Sequence, residues 1–358
     1  MSLDLKRIHH VEFLVGNAKQ AAYFYRKAFG FDQVAYRGPE TGYRKRASYV
    51  LRQGDIWLVF TTPLHHDDSL NIWLTLHGDG VRDIAFEVAD AAAIHDEAVA
   101  RGATSDRPPR EFSDELGRVR MAKIQTYGEV VHTFIQRDGY RGFLPGFVIN
   151  EIKGEGVGLQ CIDHVVGNVE DHRMDSWVKW YDQVLGMDRF VSYDDKDIST
   201  EFTALRSTVV ATDDRRIKFP INEPAEGRKK SQIQEYIDHN VTAGVQHLAL
   251  KTDDILSTIA ALRRNGVEFL KVPAGYYDHV WEHVGPIRED TRKVKDLGIL
   301  VDKDDAGYLL QLFTRPLQDR PTFFVEIIQR EGSESFGKGN FKALFVTIEQ
   351  EQALRGNL

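Results

Sequence analysis

The sequence predicts an α+β fold: tandem βαβββ modules curled into two open, barrel-like domains and finished by a C-terminal helix. Three observations predict it. Segments recur in the same order in two halves of the chain, short alternating strands are separated by single helices, and a glycine-rich stretch lies between the halves. A chain of 358 residues is also about twice the usual domain size, which favours two fused units.

The first recurring pair is Ile8-His9-His10-Val11 and Ile162-Asp163-His164-Val165. Each is followed by an Asn, a helix rich in aromatics and a Gly turn. In the first copy these are Ala22-Tyr23-Phe24-Tyr25 and Phe29-Gly30-Phe31; in the second, Trp177, Trp180-Tyr181 and Leu185-Gly186-Met187. The next pair is Gly80-Val81-Arg82-Asp83-Ile84-Ala85 and Gly244-Val245-Gln246-His247-Leu248-Ala249. Each leads into an Asp-headed helix that ends at a Gly, Asp90 to Gly102 and Asp253 to Gly266. The last pair is Thr133-Phe134-Ile135-Gln136-Arg137 and Glu326-Ile327-Ile328-Gln329-Arg330. The spacing between copies widens along the chain, so the second half carries insertions of about ten and about thirty residues. Val11–Val15, Ala47–Leu51 and Ile56–Phe60 alternate as strands. The glycine-rich stretch Gly139 to Gly158 sets the expected domains at 1–150 and 151–358. After Gly339, a helix over 341–356 carries Phe341, Leu344, Phe345 and Ile348 on one face.

Composition narrows the partners. The formal net charge is −8 and the longest basic cluster is Arg228-Lys229-Lys230, which argues against nucleic acid. No apolar stretch approaches membrane-spanning length, and Met1 to Val15 lacks the apolar centre of a signal peptide. The single cysteine, Cys161, cannot form an internal disulfide and reads as a small buried residue. The expectation is a soluble, cytoplasmic protein that acts on a small molecule.

Three polar residues stand on otherwise apolar strand faces. By strict alternation His164 lies with Ile162 and Val166, His247 with Val245 and Ala249, and Glu326 with Phe324 and Ile328. A lone strand His is most often a packed core residue. A buried carboxylate, however, is costly unless paired or metal-bound, and three such residues in one half point to a metal. The repeat supplies a control, because the corresponding residues of the first half are His10, Asp83 and Thr133. Asp could still bind a metal, but Thr is a poor ligand, so one competent site is expected. Two imidazoles and a carboxylate form the facial triad of non-haem Fe(II) oxygenases, with zinc as the chemical rival. The expectation is one Fe(II) per chain. His9-His10 and His65-His66 read as surface or structural.

Further segments carry a resemblance: Pro220-Ile221-Asn222-Glu223-Pro224, Lys230-Ser231-Gln232-Ile233, Leu309-Leu310-Gln311-Leu312-Phe313 and Phe336-Gly337-Lys338-Gly339-Asn340-Phe341. With the three ligand segments, they make the C-terminal half resemble the 4-hydroxyphenylpyruvate dioxygenase family of the vicinal-oxygen-chelate superfamily. The resemblance extends over the whole chain, less diagnostically in the first half. It implies that His164, His247 and Glu326 bind iron, and that the substrate chelates it through its own α-keto acid while O₂ takes the remaining position. Oxidative decarboxylation, ring hydroxylation and migration of the acetate side chain then give homogentisate and CO₂. No separate 2-oxoglutarate is needed.

The resemblance further assigns Gln246, Gln311, Phe313 and Phe341 to the reacting centre, and Ser207, Asn222, Gln232, Gln246, Phe324 and Asn340 to the substrate. Read physically, Ser207, Asn222, Gln232 and Gln246 are neutral groups able to orient a phenol hydroxyl or to satisfy local backbone. Gln311 shares a strand face with Phe313 and is expected near the metal. Phe313 and Phe341 are aromatic walls or ordinary core. Phe336-Gly337-Lys338-Gly339-Asn340 lacks the spacing of a phosphate loop and reads as a hinge. Arg206, by alternation, points away from the face bearing Ser207. A homo-oligomer, dimer or tetramer, is expected. The competing functions are hydroxymandelate synthase, an extradiol catechol dioxygenase and a small-molecule sequestering protein.

Overall fold

The structure, a computed structural model, describes residues 2–195 and 199–357. The first half contains β1 (Leu5–Leu14), α1 (Ala18–Ala28), β2 (Asp32–Arg37), β3 (Arg46–Gln53) and β4 (Ile56–Pro63). A second module follows: α2 (Leu70–His77), β5 (Gly80–Val88), α3 (Ala91–Ala100), β6 (Ser105–Asp114), β7 (Gly117–Gln125) and β8 (Val131–Gln136). A connecting strand, β9 (Val148–Ile152), leads to β10 (Leu159–Asn168), α4 (Met174–Trp180), β11 (Asp188–Tyr193), β12 (Ala204–Ala211) and β13 (Lys218–Ala225). The last module has α5 (Gln232–Asn240), β14 (Gly244–Thr252), α6 (Ile255–Arg264), α7 (Val280–Val284) and α8 (Thr291–Asp296). It ends with β15 (Leu300–Lys303), β16 (Tyr308–Phe313), β17 (Phe324–Glu331) and α9 (Phe341–Leu354).

Each half is one curled sheet, ordered β6-β7-β8-β5-β1-β4-β3-β2-β9 in the first and β11-β12-β13-β10-β14-β17-β16-β15 in the second. The first strands of the two modules, β1 with β5 and β10 with β14, pair antiparallel at the centre of each sheet. Local chemistry starts the helices: Asn17 caps α1 through the Gln20 amide, and Asp90 and Asp254 do the same for α3 and α6. The larger insertion of the second half lies between α6 and β15 and contains α7 and α8.

Two boundaries differ from expectation. Strand β9 pairs with β2, with Ile152 opposite Gln33, so the first sheet runs just past residue 150. Helix α9 ends at Leu354, a little short of 356. The halves share one apolar core, in which Phe13 packs edge-on against Phe323 with ring centres 5.0 Å apart. At Gly167 a Cβ would sit 2.7 Å from the Tyr127 ring, so only glycine lets the halves meet there. No helix among the described residues is long and apolar enough to cross a membrane.

Candidate metal centre and substrate cavity

The centre is built on three neighbouring strands. Ala249 of β14 is the register partner of both His164 on β10 and Glu326 on β17, and His247 lies two residues before it on the same strand. The donors of three side chains therefore converge over one small residue. His164 Nε2 is 3.1 Å and His247 Nε2 3.4 Å from Glu326 Oε2, and one ligand atom from each residue lies within 4.8 Å of the others. All three residues are buried.

Strict alternation fails beside both histidines. The pairing of β10 with β14 slips between Ile162 and His164, and again between Val166 and Gly167, which are opposite His247 and Val245. These bulges leave Asp163 and Gln246 as extra residues and turn Ile162 and Val245 to the face opposite the ligands. Each extra residue then holds its neighbouring histidine. His164 Nδ1 donates to Asp163 Oδ1 at 2.7 Å, and His247 Nδ1 donates to Gln246 Oε1 at 3.0 Å. Both imidazoles are thus fixed with Nε2 aimed inward, the arrangement that metal-ligating histidines need.

Electrostatics favour a cation here. Burial alone would raise the pKa of Glu326, but the neighbouring imidazoles outweigh it and hold the carboxyl at about 2. Burial lowers His164, yet Glu326 and Asp163 lift it above its ordinary value. Asp163, although buried, is held far down by His164 and Arg330. Two imidazole nitrogens and one carboxylate oxygen on one side, with the opposite side open to a cavity, fit a metal that keeps free coordination positions.

The cavity and its open mouth together hold ≈590 Å³ of empty space. His164, His247 and Glu326 form one wall. Ser207 and Asn222 are register partners on β12 and β13, on the other side of β10, and both line it. So do Gln232 at the start of α5, Gln246, Phe313 and Phe324. Phe324 stacks on the His247 ring at 4.6 Å. Phe341, Leu344, Phe345 and Ile348, the expected apolar face of α9, cover it.

Two expected residues lie elsewhere. Asn340 is buried outside the cavity wall, where its Oδ1 accepts from the Tyr276 hydroxyl at 2.7 Å. Gln311 faces the same way as Phe313 but is packed against Gly337, off the cavity wall. Arg206 points outward to Glu223 at 3.1 Å, so it brings no charge to the cavity. Phe336, read from sequence as part of a hinge, also lines the cavity and meets the His164 ring edge-on at 5.0 Å. Asp163 was missed because alternation put it on the far face. Its clue was the acidic residue directly before a candidate ligand.

In the first half the corresponding place is closed. Asp83 accepts from Lys123 Nζ at 2.8 Å, from the Thr133 amide at 3.1 Å and from the Thr133 hydroxyl. His9 and His10 are buried and bond to each other through Nδ1 at 2.8 Å. His65 and His66 are exposed.

Comparison with known proteins agrees with this architecture. The Glyoxalase/Bleomycin resistance protein/Dioxygenase superfamily matches residues 7–126 and 161–312. The chain is 51% identical to a 4-hydroxyphenylpyruvate dioxygenase of Caenorhabditis elegans, over 98% of this chain and 92% of that one. It is 50% identical to the enzyme of that name from Dictyostelium discoideum, over 98% and 99%. It is 48% identical to that from Tetrahymena thermophila, over 98% and 91%. Among solved structures, a mutant of 4-hydroxymandelate synthase from Streptomyces coelicolor superposes with a TM-score of 0.89 at 30% identity, covering 98% of this chain and all of that one.

Proposed function

Since the chain belongs to the 4-hydroxyphenylpyruvate dioxygenase family, within the vicinal-oxygen-chelate superfamily, we infer that His164, His247 and Glu326 hold one Fe(II) per chain. The reaction is conversion of 4-hydroxyphenylpyruvate and O₂ to homogentisate and CO₂. The observation that carries this reading is the buried His-His-Glu set opening onto a cavity with neutral polar groups and aromatic walls.

The protein's own part is to bind, orient and exclude water. Bound iron supplies the redox chemistry and a template that the α-keto acid can chelate. Asp163 and Gln246 keep the two imidazoles aimed at it. Ser207, Asn222 and Gln232, set on the other side of β10 and at the head of α5, receive the phenol end of the substrate. Being neutral, they orient the hydroxyl without moving its charge. Phe313, Phe324 and Phe341 flank the ring. Helix α9 keeps water from the reacting centre. Gln311 and Asn340, packed behind the wall, act on the position of Gly337 and α9 rather than on substrate.

Hydroxymandelate synthase is the nearer alternative, since it shares the fold, but its likeness at 30% identity is well below the roughly 50% of the dioxygenases. The test is anaerobic loading with Fe(II), addition of 4-hydroxyphenylpyruvate and O₂, and identification of the product. A protein that takes up no iron, or that turns over a catechol and not the α-keto acid, refutes the reading.

A homo-oligomer, dimer or tetramer, in the cytoplasm completes the proposal. The exposed apolar side chains Val148, Ile149 and Ile152 on the edge strand β9 support self-association, and the unpaired Cys161 suits a reducing compartment. Light scattering of the purified protein and fractionation of cells test the two parts.

A further inference from the structure

Arg330 joins two places that are separate in the chain. Its Nε and one terminal nitrogen grip both oxygens of Asp163 at 2.8 and 2.9 Å, and Asp163 in turn orients His164. Its other terminal nitrogen donates to the carbonyls of Ser333 at 3.2 Å and Ser335 at 2.5 Å. Those carbonyls belong to the loop just before Gly337, which has φ +78 and opens the turn into α9. The guanidinium also lies 5.4 Å from the centre of the Phe336 ring, whose edge meets His164.

The first half shows which part of this is scaffold. Arg137 corresponds to Arg330 and likewise donates to loop carbonyls, those of Tyr140 at 3.0 Å and Gly142. Phe143 packs on His10 at 5.3 Å, as Phe336 does on His164. The grip on the loop is therefore common to both halves. The carboxylate between the arginine and the histidine is found only in the second, because the first has His9 where Asp163 stands. The link was made where a metal ligand has to be held.

We propose that Arg330 is a positioning residue that, through Asp163, couples the orientation of His164 to the seating of the loop 332–337 and of α9. A metal on His164 fixes its Nδ1–H toward Asp163, which fixes the guanidinium fork and with it the loop. By reciprocity, a seated loop strengthens metal binding by the same factor. The inference rests on the metal-site reading above.

The test uses the full chain, with and without Co(II) as an oxygen-stable probe. Metal affinity is read by chelator competition and loop seating by the rate of limited proteolysis within 332–340. For the unaltered protein, Co(II) should slow cleavage. Asp163→Asn should weaken Co(II) binding by about 10- to 100-fold and abolish the metal-dependent protection. Its cleavage rate without metal should stay unchanged, because Arg330 keeps the loop carbonyls. Arg330→Gln should show the same losses and faster cleavage in both states; if it does not fold, Asp163→Asn decides. Full protection by metal in Asp163→Asn overturns the coupling, as does unaltered metal affinity. Failure of the unaltered protein to bind Co(II) or Fe(II) at all would instead strike the metal-site reading. Tight binding without any protection strikes only the coupling.

Discussion

The Lys123 ammonium lies 2.8 Å from the Asp83 carboxylate, at the point of the first sheet that corresponds to the His164-His247-Glu326 cluster of the second. Lys123 is the register partner of Thr133, as Phe313 is of Glu326, so a cationic side chain stands in the first half where an aromatic wall stands in the second. Burial opposes the charge on Asp83, and Lys123 and His10 outweigh it, so the carboxyl titrates below its usual range. With a fixed cation already in place, the first half should bind no metal. Metal analysis of Fe(II)-loaded protein should return one iron per chain. Lys123→Met should leave a buried carboxylate unpaired and cost roughly 3 kcal/mol of stability, read as a shift in denaturant midpoint. Two strong sites per chain, or an unshifted midpoint, would contradict this account of the first half.

Glu326→Ala removes the anionic member of the proposed ligand set and leaves space on a strand face that otherwise carries Phe324 and Ile328. Iron and turnover should be lost together while far-UV circular dichroism stays that of the parent protein, since β17 is held in register by β14 and β16 along its length. His164→Ala and His247→Ala should behave alike. Normal iron content in Glu326→Ala would remove the carboxylate from the ligand set.

The module order and the three donors were legible because both leave local marks: a repeated pattern, and a polar residue on an apolar strand. What was hidden was the bulges. Alternation assigns Asp163 and Gln246 to the far face, and only the slipped register between β10 and β14 shows that each turns back to hold the next histidine. The same limit applies at the lid. Asn340 and Gln311 sit in segments that resemble the family closely, yet whether a side chain reaches the cavity depends on how the loop before α9 packs, which strand periodicity does not encode. Arg206 was placed correctly because β12 pairs with β13 without a slip.

His132 offers a pH test away from the metal. It is fully buried between the halves, with Nδ1 against the Ile84 carbonyl at 3.1 Å and Nε2 against the Tyr181 hydroxyl at 2.8 Å. Burial dominates, and its pKa falls to about 4 despite the opposing pull of the Ile84 carbonyl and Asp83. Unfolded, the imidazole would titrate near 6.5. The unfolded chain therefore binds the extra proton between these values. Stability linked to His132 is complete above about pH 6.5 and is lost as the pH falls toward 4, by about 3 kcal/mol in total. His132→Gln, which cannot titrate, should have a flatter pH dependence of its urea midpoint over this window than the parent. Parallel profiles for the two proteins would rule this group out as a source of acid sensitivity.

Helix α9 covers the cavity with Phe341, Leu344, Phe345 and Ile348, and its far end is tied down by Glu349 accepting from the Thr203 hydroxyl at 2.6 Å and by Arg355 on Glu235 at 2.8 Å. Ending the chain after Lys338 would open the reacting centre to water. Decarboxylation should then be uncoupled from ring hydroxylation, seen as CO₂ release in excess of aromatic product, or both should stop. Coupled turnover at the normal ratio in the shortened protein would show that α9 is no lid.

The product separates the two nearest activities. Homogentisate and 4-hydroxymandelate differ in which carbon carries the new oxygen, so the outcome depends on how the ring is held. Ser207 and Asn222 face the cavity as register partners on β12 and β13, next to β10, which carries His164, and Gln232 lines the same cavity. A substrate chelated at its α-keto acid and held at its phenol end by this set is fixed at both ends. Phe313 and Phe341 line the same cavity, so a ring held in this way would lie between them. Under that constraint the ring carbon bearing the side chain is the one brought to the metal, whereas benzylic attack would need the ring tilted away from the polar set. Homogentisate should therefore be the main product from 4-hydroxyphenylpyruvate. Asn222→Ala removes one polar contact, worth roughly 1 kcal/mol. It should lower ring hydroxylation about fivefold while leaving iron affinity unchanged, because Asn222 touches none of the three ligands. Chromatography of the reaction mixture decides: mainly 4-hydroxymandelate from the parent protein would overturn the assignment of product and leave the metal centre as described.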